Sequence, residues 1–154
     1  MPDIFSVEKR SDIMSRVKSK DTQPELLVRK ALFTRGFRYR VHDKKLPGMP
    51  DIVLKKYNAI IFIHGCFWHG HMGCSRSRLP SSRKEFWSEK IKKNIERDTK
   101  TLKSLSEMGY RILIIWECSL KGKNKIPFTQ LMDEIEGWLY EGPQLLEIQG
   151  RDET

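Results

Sequence analysis

The chain has 154 residues, one domain's worth of polypeptide. Its composition is that of a soluble globular protein, with 38% hydrophobic and 32% charged residues and a mean hydropathy of −0.56. No apolar run approaches the ~18 residues of a membrane span, and a net charge of +9 with a pI near 9.6 makes nucleic acid the leading partner class, a solvated basic surface being the alternative.

The charge is unevenly spread. Residues 133–154 hold seven acids against Arg151 alone, so residues 1–132 carry +15. The first residues, from Met1 through Arg10, form no apolar signal core, and a cytoplasmic location is expected.

Residues 1–20 show no clear period and read as an N-terminal arm. The folded domain is expected over 21–141. Thr22 and Glu25 form a capping box, and Leu27, Val28, Ala31 and Leu32 behind it give a helical stripe that stops near Gly36. Residues 37–41 alternate apolar and basic, the pattern of a half-buried strand. The segment 46–50, Leu-Pro-Gly-Met-Pro, is a turn, and Asp51 then opens a short strand over 52–54. Residues 55–58 turn the chain into a second strand, 59–63, and 65–80 read as a loop.

Ser82 and Glu85 suggest another capping box. The helix after it places Trp87, Ile91, Ile95, Leu102 and Leu105 on one face and ends before Gly109. A buried strand follows at 112–116, then a helix over 127–140 with Phe128, Leu131, Ile135 and Leu139 inward. Residues 142–154 read as an acidic C-terminal tail. The order α-β-β-β-α-β-α describes an α/β fold, a mixed sheet flanked by helices.

Three cysteines without a signal peptide argue against a disulfide framework. Cys66, His71 and Cys74 form Cys-x4-His-x2-Cys, and Cys118 can supply a distant fourth ligand. Three thiolates and an imidazole suit a closed, structural zinc site. Ordinary buried thiols beside an unrelated histidine are the alternative.

Asp51 stands where a rigid turn meets an apolar strand, a place from which a carboxylate can bind a hard divalent cation or merely close the turn. Two strands joined by four residues should be antiparallel neighbours, which brings Asp51 and His64 together. His69 lies a few residues on, spare to the zinc set. Asp98 interrupts the apolar stripe of the long helix. It either faces solvent at the edge of the stripe or pairs with a histidine and fixes its tautomer. A metal-bound carboxylate, an oriented imidazole and a positive field together suggest phosphodiester hydrolysis. Phe67, Trp68 and Trp87 are either core rings or wedges for unstacking a base step.

The run 62–69, Phe-Ile-His-Gly-Cys-Phe-Trp-His, closely resembles the very short patch repair (Vsr) endonucleases. Pro-Gly-Met-Pro-Asp51 upstream and Asn94-Ile-Glu-Arg-Asp98 and Trp116-Glu-Cys118 downstream extend the likeness over roughly residues 8–140. The resemblance implies a restriction-endonuclease-like fold and a Mg2+-dependent, strand-specific nick beside a T:G mismatch left by deamination of 5-methylcytosine. It implies Asp51 as metal ligand, His69 as general base, Asp98 as its support, and His64 and Glu25 near the phosphate and metal-bound water. Two catalytic Mg2+ ions are expected, with the backbone carbonyl of Ile63 as a further ligand, and a structural Zn2+ held by Cys66, His71, Cys74 and Cys118. Phe67, Trp68 and Trp87 look like the aromatic wedge, Met14 like the residue of the arm that enters the minor groove, and Lys90 and Asn94 match positions near the mismatched pair. A bacterial, cytoplasmic monomer is implied, with a cytosine-5 DNA methyltransferase and mismatch-repair factors as companions.

Two departures stand out. The strand ending Ile61-Phe-Ile-His64 carries no acid-x-Lys pair of the kind related nucleases use, so histidines must take over that chemistry. Ile63 stands where the family often has Thr, so only a backbone carbonyl is available there. A restriction-type nuclease on matched duplex and a non-catalytic, zinc-stabilised DNA-binding module are the competing readings.

Overall fold

The structure, a computed structural model, describes residues 22–151. The expected arm at 1–20, Met14 with it, lies outside the described residues.

Helix α1 (Gln23–Thr34) begins as its capping box predicts: the Thr22 hydroxyl accepts from the Glu25 backbone N–H at 3.4 Å. It ends where Gly36 takes a φ of +93° that an L side chain resists. Strand β1 is only Arg40–Val41. Its partner β2 (Ile52–Leu54) is three residues long, so the first part of the predicted strand 37–41 finds no ladder. A 3-10 turn, Lys55–Tyr57, with Asn58 at positive φ, leads into β3 (Ala59–His64). Helix α2 (Lys84–Glu107) precedes β4 (Arg111–Trp116), and α3 (Phe128–Tyr140) precedes β5 (Leu145–Ile148).

The five strands lie in the order β1-β2-β3-β4-β5. The first two pairings are antiparallel and the last two parallel. β3 is therefore central, and its apolar residues alternate between two cores. Ala59 and Ile61 face α1 and α3, packing with Val28, Leu32, Leu131 and Ile135. Ile60 and Phe62 face α2, packing with Leu105, Ile112, Ile114 and the cysteines Cys66 and Cys118.

Several expectations are corrected. Residues 145–148, read as part of an acidic tail, form an edge strand parallel to β4. Helix α2 has Arg83 at its N-cap with a φ of 52° and no side-chain cap bond, so Ser82 does not close a capping box. The Arg83 guanidinium instead lies over the Phe86 ring at 4.2 Å. Phe128, at the first turn of α3, and Ile95, midway along α2, are exposed rather than inward. Among the described residues no helix is long and apolar enough to cross a membrane.

Candidate active site

Both groups of chemical side chains hang on the C-terminal exit of β3. In the parallel ladder His64 pairs with Trp116, so the same register carried two residues further sets Cys66 near Cys118. The loop after β3 folds back through the His71 N–H to the Cys66 carbonyl at 2.9 Å, and the Ser77 hydroxyl donates to the carbonyls of His71 and Cys74. Cys66, His71, Cys74 and Cys118 then offer ligand atoms all within 4.8 Å of one another. All three cysteines are free of disulfides.

The surroundings of this cluster fit a metal. His71 Nε2 lies 2.7 Å from Gln149 Oε1, and an amide oxygen can only accept, so the ring proton sits there and Nδ1 is left as the ligand atom. Nδ1 is 3.7 Å from Cys118 Sγ. The Gly150 N–H donates to that sulfur at 3.2 Å. Burial, with Cys118 and Cys74 close by, pushes the Cys66 thiol well above its ordinary value. A bound cation reverses that penalty, because thiolates are the form that ligates. Three sulfurs and one nitrogen are a zinc-type donor set. Gln149 and Gly150 escaped sequence reasoning because the strand that delivers them was read as tail.

On the other side of the loop, the antiparallel pairing of β2 with β3 brings Asp51 beside Ile63, whose N–H donates to Asp51 Oδ2 at 2.7 Å. His64 follows on the same strand, and its ring stacks on His69 at 3.7 Å with an angle of 4° between planes. His69 Nδ1 lies 2.6 Å from Asp98 Oδ2, so the carboxylate fixes the proton on Nδ1 and leaves Nε2 as a base. The alternative of a solvent-facing Asp98 is thereby removed. Asp51, Ile63, His64, His69 and Asp98 line one cavity of about 480 Å³.

Glu25 is 2% exposed and belongs to this group through α1. It accepts from Arg29 at 2.8 Å, and its ligand atom lies within 4.8 Å of those of Asp51 and His42. Burial, followed by repulsion from Glu25, raises the Asp51 carboxyl to about 7. Two buried carboxylates that repel each other are what a cation relieves. Burial lowers His64 to about 3, so its ring is neutral at any physiological pH. His42 is the residue that sequence reasoning missed. Val41 pairs with Ile52, so the next residue sits across from Asp51.

A second cavity, of about 670 Å³, shares Ile63, His69 and Arg97 with the first and adds Glu25, Trp68, Lys90 and Asn94. Phe67, Trp68 and Trp87 form a mutual edge-to-face cluster with centroids 5.3–6.1 Å apart. Trp87 is 4% exposed and stands behind the other two, so it is a core ring, while Phe67 and Trp68 are half-buried. Asn94 donates to the Trp68 carbonyl and accepts from Arg97, both at 2.9 Å, which fastens the loop to α2. Lys90 Nζ lies 5.6 Å from the Trp68 ring centroid.

A mixed sheet whose central strand and its neighbouring hairpin bring an acid, a carboxylate-held histidine and a thiol cluster together has the parts of a nuclease-type centre. The family model of the DNA mismatch endonuclease Vsr matches residues 2–76. The DNA mismatch endonuclease Vsr of Escherichia coli K12 is 42% identical over 139 residues, covering 90% of this chain and 88% of that one. The type II nicking enzyme V.NmeAIP of Neisseria meningitidis is 53% identical over 123 residues, covering 80% and 87%. V.XorIIP of Xanthomonas oryzae, another type II nicking enzyme, is 46% identical over 120 residues, covering 78% and 88%. The chain belongs to the Vsr family of DNA mismatch endonucleases and is an enzyme of the nuclease class.

Proposed function

We propose that this enzyme nicks one strand of duplex DNA beside a T:G mismatch in a Mg2+-dependent reaction that opens very short patch repair. The observation that carries the reading is the His69–Asp98 pair in a cavity shared with Asp51. A DNA-binding module without catalysis has no use for a carboxylate-oriented imidazole there.

Asp51 would hold the divalent cation, with the Ile63 carbonyl beside it and Glu25 close enough to reach its water shell. The N–H and C=O of a strand residue leave on the same side, and the Ile63 N–H is already bonded to Asp51. When bound, Mg2+ supplies Lewis-acid stabilisation of charge on the scissile phosphate and leaving oxygen. His69 Nε2 takes the proton of the attacking water, and Asp98 stabilises the imidazolium that forms. His64, kept neutral by burial, offers a ring nitrogen to the phosphate without adding charge.

Phe67 and Trp68 serve as the wedge, backed by Trp87. In this reading Lys90 and Asn94 contact the mismatched pair, Asn94 from the position its bond to the Trp68 carbonyl gives it, and Met14, outside the described residues, is the arm residue that enters the minor groove. Cys66, His71, Cys74 and Cys118 hold a structural Zn2+. The test is a single-turnover assay on labelled duplexes that differ only in carrying T:G or a matched pair. Nicking that needs Mg2+, prefers T:G and vanishes in Asp51→Ala supports the reading. Equal cleavage of matched duplex would replace it with a restriction-type nuclease, and salt-sensitive binding without cleavage in any divalent metal with a simple DNA-binding module.

A further inference from the structure

We infer that His42 is a nitrogen ligand of the Asp51 metal centre, held for that task by Glu25. The inference rests on the reading of Asp51 as the residue that binds the catalytic cation.

Three elements converge here. Glu25 comes from α1, His42 from the residue after β1, and Asp51 from the residue before β2. The His42 side chain is 12% exposed and lines the same cavity as Asp51, His64 and His69. Its Nδ1 lies 4.0 Å from Asp51 Oδ1, and its Nε2 lies 3.5 Å from Glu25 Oε2. Two ligands each about 2.1 Å from one ion stand roughly 3.0 Å apart when adjacent and roughly 4.2 Å apart when opposite. The His42–Asp51 separation falls inside that window.

A ligating imidazole is neutral, with its one proton on the nitrogen that does not bind the ion. With the proton on Nδ1, the ring points a donor at Asp51, and the Arg29 guanidinium, 3.2 Å from Nε2, donates to the free nitrogen. With the proton on Nε2, the donor turns to Glu25, Arg29 keeps its 2.8 Å bond to Glu25 Oε2, and the Nδ1 lone pair faces Asp51. That second arrangement sets the Nε2 proton against the Arg29 guanidinium 3.2 Å away, a cost that a cation between Nδ1 and Asp51 offsets. A ligating imidazole whose other nitrogen is held by a carboxylate is a recurrent metal-site device. The backbone supports the placement: His42 takes a φ of 47°, a conformation that costs most L residues energy and that survives where the surroundings demand it. Its N–H donates to the Asp51 carbonyl at 3.4 Å, tying the two residues through main chain as well as side chain.

An imidazole among carboxylates makes the centre more receptive to Mn2+ than an all-oxygen set would be. The experiment uses Mn2+ as the probe, bound to the full chain with and without a nicked duplex, and reads nitrogen coupling to the ion by electron spin echo envelope modulation. Wild type is expected to show directly coordinated nitrogen. His42→Gln should lose that coupling and weaken Mn2+ binding about ten-fold, the lower end of what altered ligand shells cost. His42→Asn, smaller and still polar, repeats the measurement should Gln disturb folding, and circular dichroism reports on both. Mn2+ bound through Asp51 without nitrogen coupling, or coupling that persists in both variants, overturns the assignment of His42. Mn2+ binding that is unchanged in Asp51→Asn overturns the Asp51 reading itself, and this inference with it.

Discussion

His69 Nδ1 and Asp98 Oδ2 lie 2.6 Å apart, although the two residues are 29 positions distant in the chain. A loop histidine is thus oriented by a helix, and one ring nitrogen is committed while the other is kept for chemistry.

Asp98→Asn should lower the single-turnover nicking rate by about 10²–10⁴, the usual worth of an oriented general base. His69→Ala should abolish nicking. Both variants should melt within a few degrees of wild type, because neither side chain is fully buried. Rate and melting temperature are measured side by side. Full activity in Asp98→Asn would leave the pair without a catalytic role.

Asp51→Asn should inactivate the enzyme and yet stabilise the metal-free protein at pH 8. The folded carboxyl sits near 7 against an ordinary 3.8, so the native state holds a proton that the unfolded state has lost between those values. The stability this group contributes is therefore present at low pH and disappears as pH rises through 7. His64 works in the opposite sense: its folded value near 3 against 6.5 means stability is gained as pH rises through that interval. The stabilisation expected in Asp51→Asn is on the order of 1–3 kcal/mol, less than the full shift because the Asp51 side chain is partly open to solvent. Urea denaturation in EDTA at pH 5 and pH 8 reads it, and the gain should shrink at pH 5.

Cys118→Ala should destabilise the domain and remove bound zinc, as read by metal analysis and thermal melting. Gln149→Ala should leave the ligands in place but weaken zinc retention about 10–100-fold in a chelator competition, since it removes the acceptor that orients His71. A native protein purified without zinc would refute the assignment of a structural zinc site.

The three rings of the aromatic cluster should separate by phenotype. Trp87→Ala empties a buried site and should cost about 3–5 kcal/mol of stability. Phe67→Ala and Trp68→Ala should melt close to wild type but lose T:G preference about ten-fold or more, because unstacking a base step costs a few kcal/mol that the wedge must supply. Paired melting and nicking measurements distinguish the two outcomes.

Much of this site was legible before any coordinates. Asp51 and His64 follow from hairpin geometry, Thr22 from its capping box, and the thiol cluster from spacing. Asp98 betrayed itself as a charge in an apolar stripe. His42 was hidden because strand β1 is two residues long and the alternation at 37–41 suggested a ladder, not its end. Gln149 was hidden because the edge strand before it, Leu145–Ile148, is four residues long and lacks the apolar–polar alternation that marks a strand, so it merged with the acidic tail. The failed capping box at Ser82 reflects tertiary override: the helix starts where Trp87 docks against Phe67 and Trp68, not where local hydrogen bonding would begin it.

β3 is the seam of the sheet, with an antiparallel neighbour on one side and a parallel one on the other. Its last residue, His64, stands between the cysteine–histidine cluster, His69 and the Asp51 carboxylate. Substitutions on the surfaces around it leave this register intact, whereas an insertion or deletion of one residue within the strand shifts it. Such a slip would turn every side chain over and dismantle two centres in one stroke.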